Sequence, residues 1–269
     1  MANDKKKLTV NDIKNKKIKG EPIVMMTAYD ALFAKIFNDY ADIILVGDSL
    51  NMSFHLKKET ISATMEMMLY HTNAVCAGAK SSFILADMPF GSYSDERSAL
   101  KNAMKFFKQT EADAVKIEGG MKNVAIIKRL CEEGISVMGH IGLMPQFSKF
   151  EGGFKIKGRD ETEVKRLMDE AKAIEQAGAF AILLEGTINS VAKQISDSVS
   201  VPVIGIGSGA DVDGQVLVWS DMLGFFEDFK PKFAKRYLNG AELVRQSVQT
   251  YANEVKNRIF PSEEFSYKG

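Results

Sequence analysis

Short, continuous apolar runs alternate along the chain with longer stretches of mixed polarity. The runs are rich in β-branched residues and are apolar almost throughout, which is typical of strands buried on both faces of a parallel sheet. Eight such runs occur, at 23–27, 42–46, 82–86, 114–117, 135–139, 180–184, 203–206 and 215–218. We therefore predict eight parallel strands.

The stretches between the runs have the spacing of amphipathic helices. Apolar residues recur every three or four positions in 60–78, 95–108 and 160–177, and a short helix is predicted at 11–17. Eight strands alternating with helices in 269 residues fit a closed barrel better than an open sheet. We predict an α/β fold with a single (βα)8 TIM barrel domain over 1–269, in which the N-terminal segment 1–20 caps the bottom of the barrel.

The composition is that of an ordinary globular protein, with 45% hydrophobic and 26% charged residues. Thirty-five basic residues balance 35 acidic ones, so the chain lacks the basic excess that nucleic-acid binding requires. No apolar run approaches the ~18–20 residues needed to cross a bilayer, and the charged N-terminus lacks the apolar segment of a secretory signal. Two cysteines are too few for a disulfide framework. We expect a cytoplasmic protein that binds neither nucleic acid nor membranes.

Ionisable residues lie in, or directly after, five of the predicted strands. They are Asp48, Asp87, Lys116, Glu118, His140 and Glu185. The C-terminal ends of parallel strands meet at one face of a barrel, where barrel enzymes carry their active sites. We therefore expect these side chains to share one pocket.

Four carboxylates in one pocket predict a divalent cation, because mutual repulsion and desolvation raise the pKa values of acids held that close. Oxygen ligands favour Mg²⁺ over Zn²⁺. Asp48 and Asp87 follow adjacent strands and are the expected ligands, and Glu118 could ligate directly or through a water molecule. Either aspartate alone could instead cap the helix that follows it.

The roles of the other three ionisable residues each allow two interpretations. Lys116 lies in an apolar run, so it either pairs with an acid such as Glu118 or neutralises an anionic ligand. His140 fits a hydrogen bond in the core as well as a role in the site. Glu185 is either a general base or one half of a structural ion pair.

Six motifs, in this order, resemble those of the ketopantoate hydroxymethyltransferase family. They are TAYD at 27–30, VGDSL at 46–50, ADMPFGSY at 86–93, VKIEGG at 115–120, GHIGLMPQ at 139–146 and VPVIGIGSGADVDGQVLV at 201–218. The resemblance implies a barrel similar to phosphoenolpyruvate mutase and isocitrate lyase. It also implies transfer of a hydroxymethyl group from 5,10-methylenetetrahydrofolate to 3-methyl-2-oxobutanoate, which gives ketopantoate for pantothenate and coenzyme A biosynthesis.

The same resemblance implies a role for each site residue. Asp48 and Asp87 would bind Mg²⁺ with support from Glu118, and Glu185 would be the proton acceptor. Four side chains would bind the 2-oxo acid, namely Asp48, Ser49, Asp87 and Lys116. The family is typically decameric, which implies a homo-oligomer here.

These roles predict a mechanism through a magnesium-stabilised enolate. Mg²⁺ bound to the keto oxygen would act as a Lewis acid, and Lys116 would neutralise the substrate carboxylate. Glu185 would remove the C3 proton, with its pKa lifted toward ~6–7 by sparse hydration. Two alternatives stay open: a Mg²⁺-dependent 2-oxo-acid lyase or mutase of the phosphoenolpyruvate mutase and isocitrate lyase type, and a non-catalytic metabolite-binding barrel.

Overall fold

The computed structural model of the chain describes residues 5–227 and 230–268. Within these residues eight parallel strands pair in chain order, and the last pairs with the first to close a barrel. The strands are β1 Ile23–Thr27, β2 Ile43–Val46, β3 Phe83–Asp87, β4 Ala114–Glu118, β5 Val137–Gly142, β6 Ala181–Glu185, β7 Val203–Ile206 and β8 Gly214–Leu217. The closed barrel confirms the predicted fold class.

Helices connect most of the strands and follow the last one. The α-helices in the described residues are α1 Val10–Lys19, α2 Ala31–Phe37, α3 Leu50–His55, α4 Met65–Gly78, α5 Glu96–Gln109, α6 Val124–Glu132, α7 Ser148–Glu151, α8 Glu161–Gln176, α9 Asn189–Ser198, α10 Trp219–Met222 and α11 Gly240–Lys256. Helices α5 and α8 begin directly after Asp95 and Asp160, whose carboxylates accept hydrogen bonds from first-turn N–H groups.

The helix predicted at 60–78 begins later than its apolar spacing indicates. Thr64 has an extended backbone, and its hydroxyl accepts a hydrogen bond from the Met67 N–H, so α4 begins at Met65. A threonine at this position satisfies an N–H group that has no partner inside the helix. The capping side chain, rather than the apolar period, therefore sets where α4 starts.

The core fills the inside of the barrel, and α1 contributes to it from the N-terminal ends of the strands. Ile13 of α1 is fully buried in the same apolar cluster as Ile23, Phe83 and Ala114, which are the first residues of their strands. Thr9 and Asp12 form a reciprocal capping box at the start of α1. The ionisable residues lie at the opposite ends of the strands.

The chain divides between Val218 and Trp219 into two compact units. The first contains the barrel, and the second contains α10, α11 and a 3-10 turn at Glu263–Phe265. The interpretation of 1–269 as one domain stays a prediction. In the part of the chain that the structure describes, no helix is long and apolar enough to cross a membrane.

Candidate active site

The structure brings together the side chains that the sequence analysis placed at strand ends. In the strand register Asp87 lies opposite Lys116, and Glu118 lies opposite His140. Because residues two apart on a strand point to the same face, Lys116 and Glu118 project to the same side of β4. These four residues and Asp48 are each at most 4% exposed. They form a buried, charged cluster at the C-terminal end of the barrel.

Lys116 lies among the acids. Its Nζ is 3.1 Å from Asp87 Oδ1, 3.7 Å from Glu118 Oε1 and 3.2 Å from His140 Nδ1. Burial alone would lower the pKa of Lys116, but the charges of Asp87, Glu118 and Asp48 outweigh burial and raise its pKa. Lys116 therefore forms the ion pair with Glu118 that the sequence analysis considered. Because its pKa is raised, the ammonium stays charged.

Asp48 and Asp87 lie side by side at the ends of β2 and β3. The backbone N–H of Asp48 donates to Asp87 Oδ2 at 3.0 Å. Burial and the neighbouring Asp87 carboxylate raise the pKa of Asp48, and burial also raises the pKa of Asp87. Asp87 Oδ1 pairs with the Lys116 ammonium at 3.1 Å. Two adjacent buried carboxylates therefore share one neighbouring ammonium.

His140 links Lys116 to Glu185. Burial and the charge of Lys116 lower the pKa of His140, so the ring is neutral. His140 Nδ1 lies 3.2 Å from Lys116 Nζ and 3.4 Å from Glu118 Oε1. His140 Nε2 is 3.5 Å from Glu185 Oε2 and makes no hydrogen bond within the described residues. The sequence placed His140 after strand five, whereas it lies inside β5, next to Glu118.

Glu185 ends β6 at the rim of the cluster, and its side chain is 17% exposed. Burial and the charge of Glu118 raise the pKa of Glu185 to about 8, against the opposing charge of Lys116. The direction of this shift agrees with the sequence-based expectation. A carboxylate with a raised pKa and partial access to solvent is suited to accept a proton near neutral pH.

Ser49 is held beside the acid pair by a buried tyrosine. Its Oγ is 2.7 Å from the hydroxyl oxygen of Tyr29. Gly47 leaves room for the Ser49 hydroxyl, because a Cβ at position 47 would lie 2.8 Å from Ser49 Oγ. Sequence reasoning assigned no role to Tyr29, although it belongs to the TAYD motif.

Gln146 is the main site residue that sequence reasoning missed. It lies in the 3-10 turn Pro145–Phe147 after β5, and it is 2% exposed. Its Nε2 donates to Asp48 Oδ2 at 2.8 Å, and its backbone N–H donates to Glu118 Oε2 at 3.0 Å. The residue ends the GHIGLMPQ motif, and that position was the only signal for it in the sequence. One turn thus contacts two of the predicted metal-site acids.

A matching family model covers residues 7–263, and its description is ketopantoate hydroxymethyltransferase. The chain belongs to the ketopantoate hydroxymethyltransferase family. This match confirms the resemblance that the six motifs carry, and it identifies the chain as a member of an enzyme family.

Relatives named 3-methyl-2-oxobutanoate hydroxymethyltransferase match almost the whole chain. The chain is 76% identical to the one from Campylobacter concisus over 98% of this chain and 97% of the relative. It is 57% identical to that of a Nitratiruptor species over 98% of this chain and the whole of the relative. The Helicobacter pylori relative is 55% identical, with 97% of each chain covered. The similarity therefore extends over nearly the whole of this chain and of these relatives.

The fold of this ketopantoate hydroxymethyltransferase family member also resembles more distant solved structures. Phosphonopyruvate hydrolase, solved with oxalate and Mg²⁺, matches with a TM-score of 0.62 at 14% identity, over 96% of this chain and 93% of that one. A 2,3-dimethylmalate lyase of the PEP mutase/isocitrate lyase superfamily matches with a TM-score of 0.58 at 16% identity. The match covers 96% of this chain and 92% of that one. These likenesses confirm the predicted fold relationship.

Proposed function

We propose that this chain transfers a hydroxymethyl group from 5,10-methylenetetrahydrofolate to C3 of 3-methyl-2-oxobutanoate and forms ketopantoate. The observation that carries the proposal is the position of Glu185 at the rim of a buried cluster that also holds Lys116 and two adjacent aspartates, where burial raises the pKa of Glu185. The cluster thus combines a base with an ammonium that can bind a carboxylate and two carboxylates that can bind a cation. The family match and the names of the relatives support the same activity.

The donor set at the ends of β2 and β3 suits Mg²⁺. Three buried acids, Asp48, Asp87 and Glu118, lie around a single ammonium, that of Lys116, so the carboxylates outnumber the positive charges. Within those residues no group of three or more His, Cys, Asp or Glu side chains is arranged to hold a metal. Mg²⁺ is commonly bound by one or two carboxylates plus water and substrate oxygens. Asp48 and Asp87 would therefore hold the ion directly, with Glu118 supporting it through water.

Lys116 and Ser49 would bind the substrate carboxylate. Lys116 provides a permanent positive charge in a water-poor site, and Ser49 Oγ is positioned by the Tyr29 hydroxyl. Asp48 and Asp87 would contact the 2-oxo acid through the bound Mg²⁺. Mg²⁺ supplies Lewis acidity at the keto oxygen when it is bound. The protein side chains then need only fix the plane of the substrate so that its C3–H bond faces Glu185.

Glu185 would take the C3 proton as its carboxylate. The electron pair of the C3–H bond moves toward the keto oxygen, and the resulting enolate carbon attacks the methylene carbon of the folate. Neutral His140 lies on one side of Glu185 and adds no positive charge that would lower its pKa. In the whole reaction both N–CH2 bonds of the folate break, C3 gains the carbon and water supplies the hydroxyl group. The C3 proton and the second proton of the water end on the two folate nitrogens.

Transfer of a labelled carbon tests this proposal directly. The enzyme, with Mg²⁺, is incubated with 3-methyl-2-oxobutanoate and with folate that carries carbon-13 in its methylene group. We expect the label in the hydroxymethyl carbon of ketopantoate, as seen by NMR. Cleavage of a C–C or C–P bond in 2-oxo acid substrates without this transfer would instead support the lyase or mutase alternative. Binding of the 2-oxo acid without any reaction would support the non-catalytic barrel.

A homo-oligomer, and specifically a decamer, is part of the proposal. Helix α11 exposes a series of large apolar side chains, each 44–58% accessible: Leu243, Val244, Val248, Tyr251 and Val255. A contiguous apolar surface of this kind is uncommon on monomers and is usual at interfaces. Sedimentation velocity would show a species of about ten chains rather than one. The cytoplasmic location expected from the sequence stays a prediction.

A further inference from the structure

Gln146 contacts the acids of the candidate metal site but has no role in the proposed reaction. Its side-chain amide lies between Asp48 and the loop after β3, where Nε2 is 2.8 Å from Asp48 Oδ2 and 3.0 Å from the Met88 carbonyl oxygen. Its Oε1 accepts a hydrogen bond from the Tyr93 hydroxyl. Its backbone N–H holds Glu118. All polar atoms of the side chain are used.

These contacts allow one orientation of the amide. The Met88 carbonyl can only accept, so the atom facing it must be the nitrogen of the amide. That nitrogen has two hydrogens, and the second points to Asp48 Oδ2. The Tyr93 hydroxyl donates to the remaining oxygen and opposes a flip of the amide. Gln146 therefore presents a donor, never an acceptor, to Asp48.

The backbone of the turn that contains Gln146 is restrained at two points. Pro145 at the start of the turn has a fixed φ that suits a helical turn. Before it, the Leu143 N–H donates to the Glu185 carbonyl oxygen at 2.8 Å, which ties this segment to the end of β6. Because Gln146 and Tyr93 are both buried, water does not compete for these hydrogen bonds.

We infer that Gln146 is the positioning residue of the metal site: its amide fixes the Asp48 carboxylate in one rotamer, and Tyr93 fixes the amide. The inference rests on the proposed function, since it assumes a cation between Asp48 and Asp87. An acid held by a donor on Oδ2 is prevented from rotating and offers its other oxygen, Oδ1, to the cation. Outer-shell partners of this kind typically contribute about 10- to 100-fold in metal affinity or activity.

The test measures cation affinity rather than turnover. Mn²⁺ is titrated into the full-length enzyme in the presence of 3-methyl-2-oxobutanoate, and free Mn²⁺ is read by electron paramagnetic resonance. We expect Gln146→Met to raise the Mn²⁺ dissociation constant about 10- to 100-fold. The backbone N–H to Glu118 is kept in this variant. Gln194→Met, on the exposed face of α9, is the matched control and should leave affinity unchanged.

Tyr93→Phe tests the same idea with a smaller change. It removes the hydroxyl that orients the amide, so we expect weaker Mn²⁺ binding than in the unmodified enzyme but stronger than in Gln146→Met. Because Tyr93 acts through Gln146, adding Tyr93→Phe to Gln146→Met should cause no further loss. Excess Mg²⁺ should restore most of kcat in both single variants, which a general packing defect would not allow.

The outcomes separate this inference from the proposed function. If Gln146→Met and Tyr93→Phe both bind Mn²⁺ as the unmodified enzyme does, the inference is overturned while hydroxymethyl transfer stands. If the losses in the double variant add up, Tyr93 does not act through Gln146 and the inference is again overturned. If Mn²⁺ affinity falls as expected but the unmodified enzyme transfers no hydroxymethyl group, the positioning role stands and the proposed function fails.

Discussion

Lys116 on β4 lies directly opposite Asp87 on β3, and its Nζ is 3.1 Å from Asp87 Oδ1. The same ammonium is 3.7 Å from Glu118 Oε1, on its own strand. The buried ammonium thus offsets part of the negative charge of Asp87 and Glu118, which end β3 and β4. A single lysine cannot balance the charge of all the acids around it. The cluster can therefore accept a further positive charge, which is the basis of the proposed Mg²⁺ site.

Replacing Lys116 with methionine should weaken binding of the 2-oxo acid. A hydrogen bond to a charged group contributes about 1.5–3 kcal/mol, so we expect the dissociation constant to rise about 10- to 100-fold. Removing one partner of a buried ion pair also costs about 3–5 kcal/mol of stability. Isothermal titration with 3-methyl-2-oxobutanoate and a denaturant titration measure the two effects.

Lys193→Met is the control, because Lys193 forms an exposed ion pair with Asp197 one helical turn away. It should leave both substrate affinity and stability essentially unchanged, because exposed ion pairs contribute little. Weakened folate binding together with normal binding of the 2-oxo acid in Lys116→Met would move Lys116 to the folate side of the site.

Replacing Asp87 with asparagine should remove the metal dependence of substrate binding. The amide keeps the shape of the carboxylate but lacks the charge that attracts a divalent cation. We expect titrations with Mg²⁺ and with EDTA to give nearly the same affinity for the 2-oxo acid in this variant, and different affinities in the unmodified enzyme. Asp95→Asn is a matched control, because Asp95 is an exposed helix cap and asparagine caps equally well. A full Mg²⁺ response in Asp87→Asn would rule out the ligand assignment.

Replacing Gly142 with alanine should destabilise the junction between β5 and the Gln146 turn. Gly142 has φ of 92°, and a Cβ there would collide with the carbonyl oxygen of Glu185. Backbone strain alone costs about 1–3 kcal/mol. Gly152→Ala is the control, since Gly152 also has positive φ but has open space around it. Urea denaturation should show a larger loss for Gly142→Ala, and equal losses would mean that the collision relaxes without cost.

The rate of C3 exchange should rise with pH because the base acts as its carboxylate. The pKa of Glu185, raised to about 8, means that the group is mostly protonated at pH 6 and becomes active as pH rises. Bound Mg²⁺ lowers this pKa, so we expect the midpoint between the free value of ~4.3 and about 8. Exchange measured by NMR from pH 4 to 9 gives the midpoint. A rate that stays flat across this range would conflict with the assignment.

The site ends of β3, β4 and β6 were predictable because each of these three apolar runs is followed directly by a charged residue. Asp87, Glu118 and Glu185 are the last residues of their strands, and Asp48 lies two residues after β2. Parallel pairing then brings these ends together without any further information. Fold and family could therefore be predicted from pattern and motifs.

The roles of His140 and Gln146 were harder to predict. His140 belongs to the strand rather than to its end, and its neutral state depends on burial and on Lys116, which are properties of the folded molecule. Gln146 is uncharged and acts through the geometry of a turn, with partners 98 and 58 residues away. Neither composition nor periodicity carries that information.

Deuterium exchange at C3 of 3-methyl-2-oxobutanoate, in D2O with Mg²⁺ and without folate, tests the central claim most directly. Glu185→Gln should bind the 2-oxo acid and Mg²⁺ normally but exchange about 10²–10⁴-fold more slowly, the usual contribution of a general base. Glu111→Gln, which alters an exposed ion pair, should exchange normally. Normal exchange in Glu185→Gln would contradict the account, because some other group would then be removing the proton.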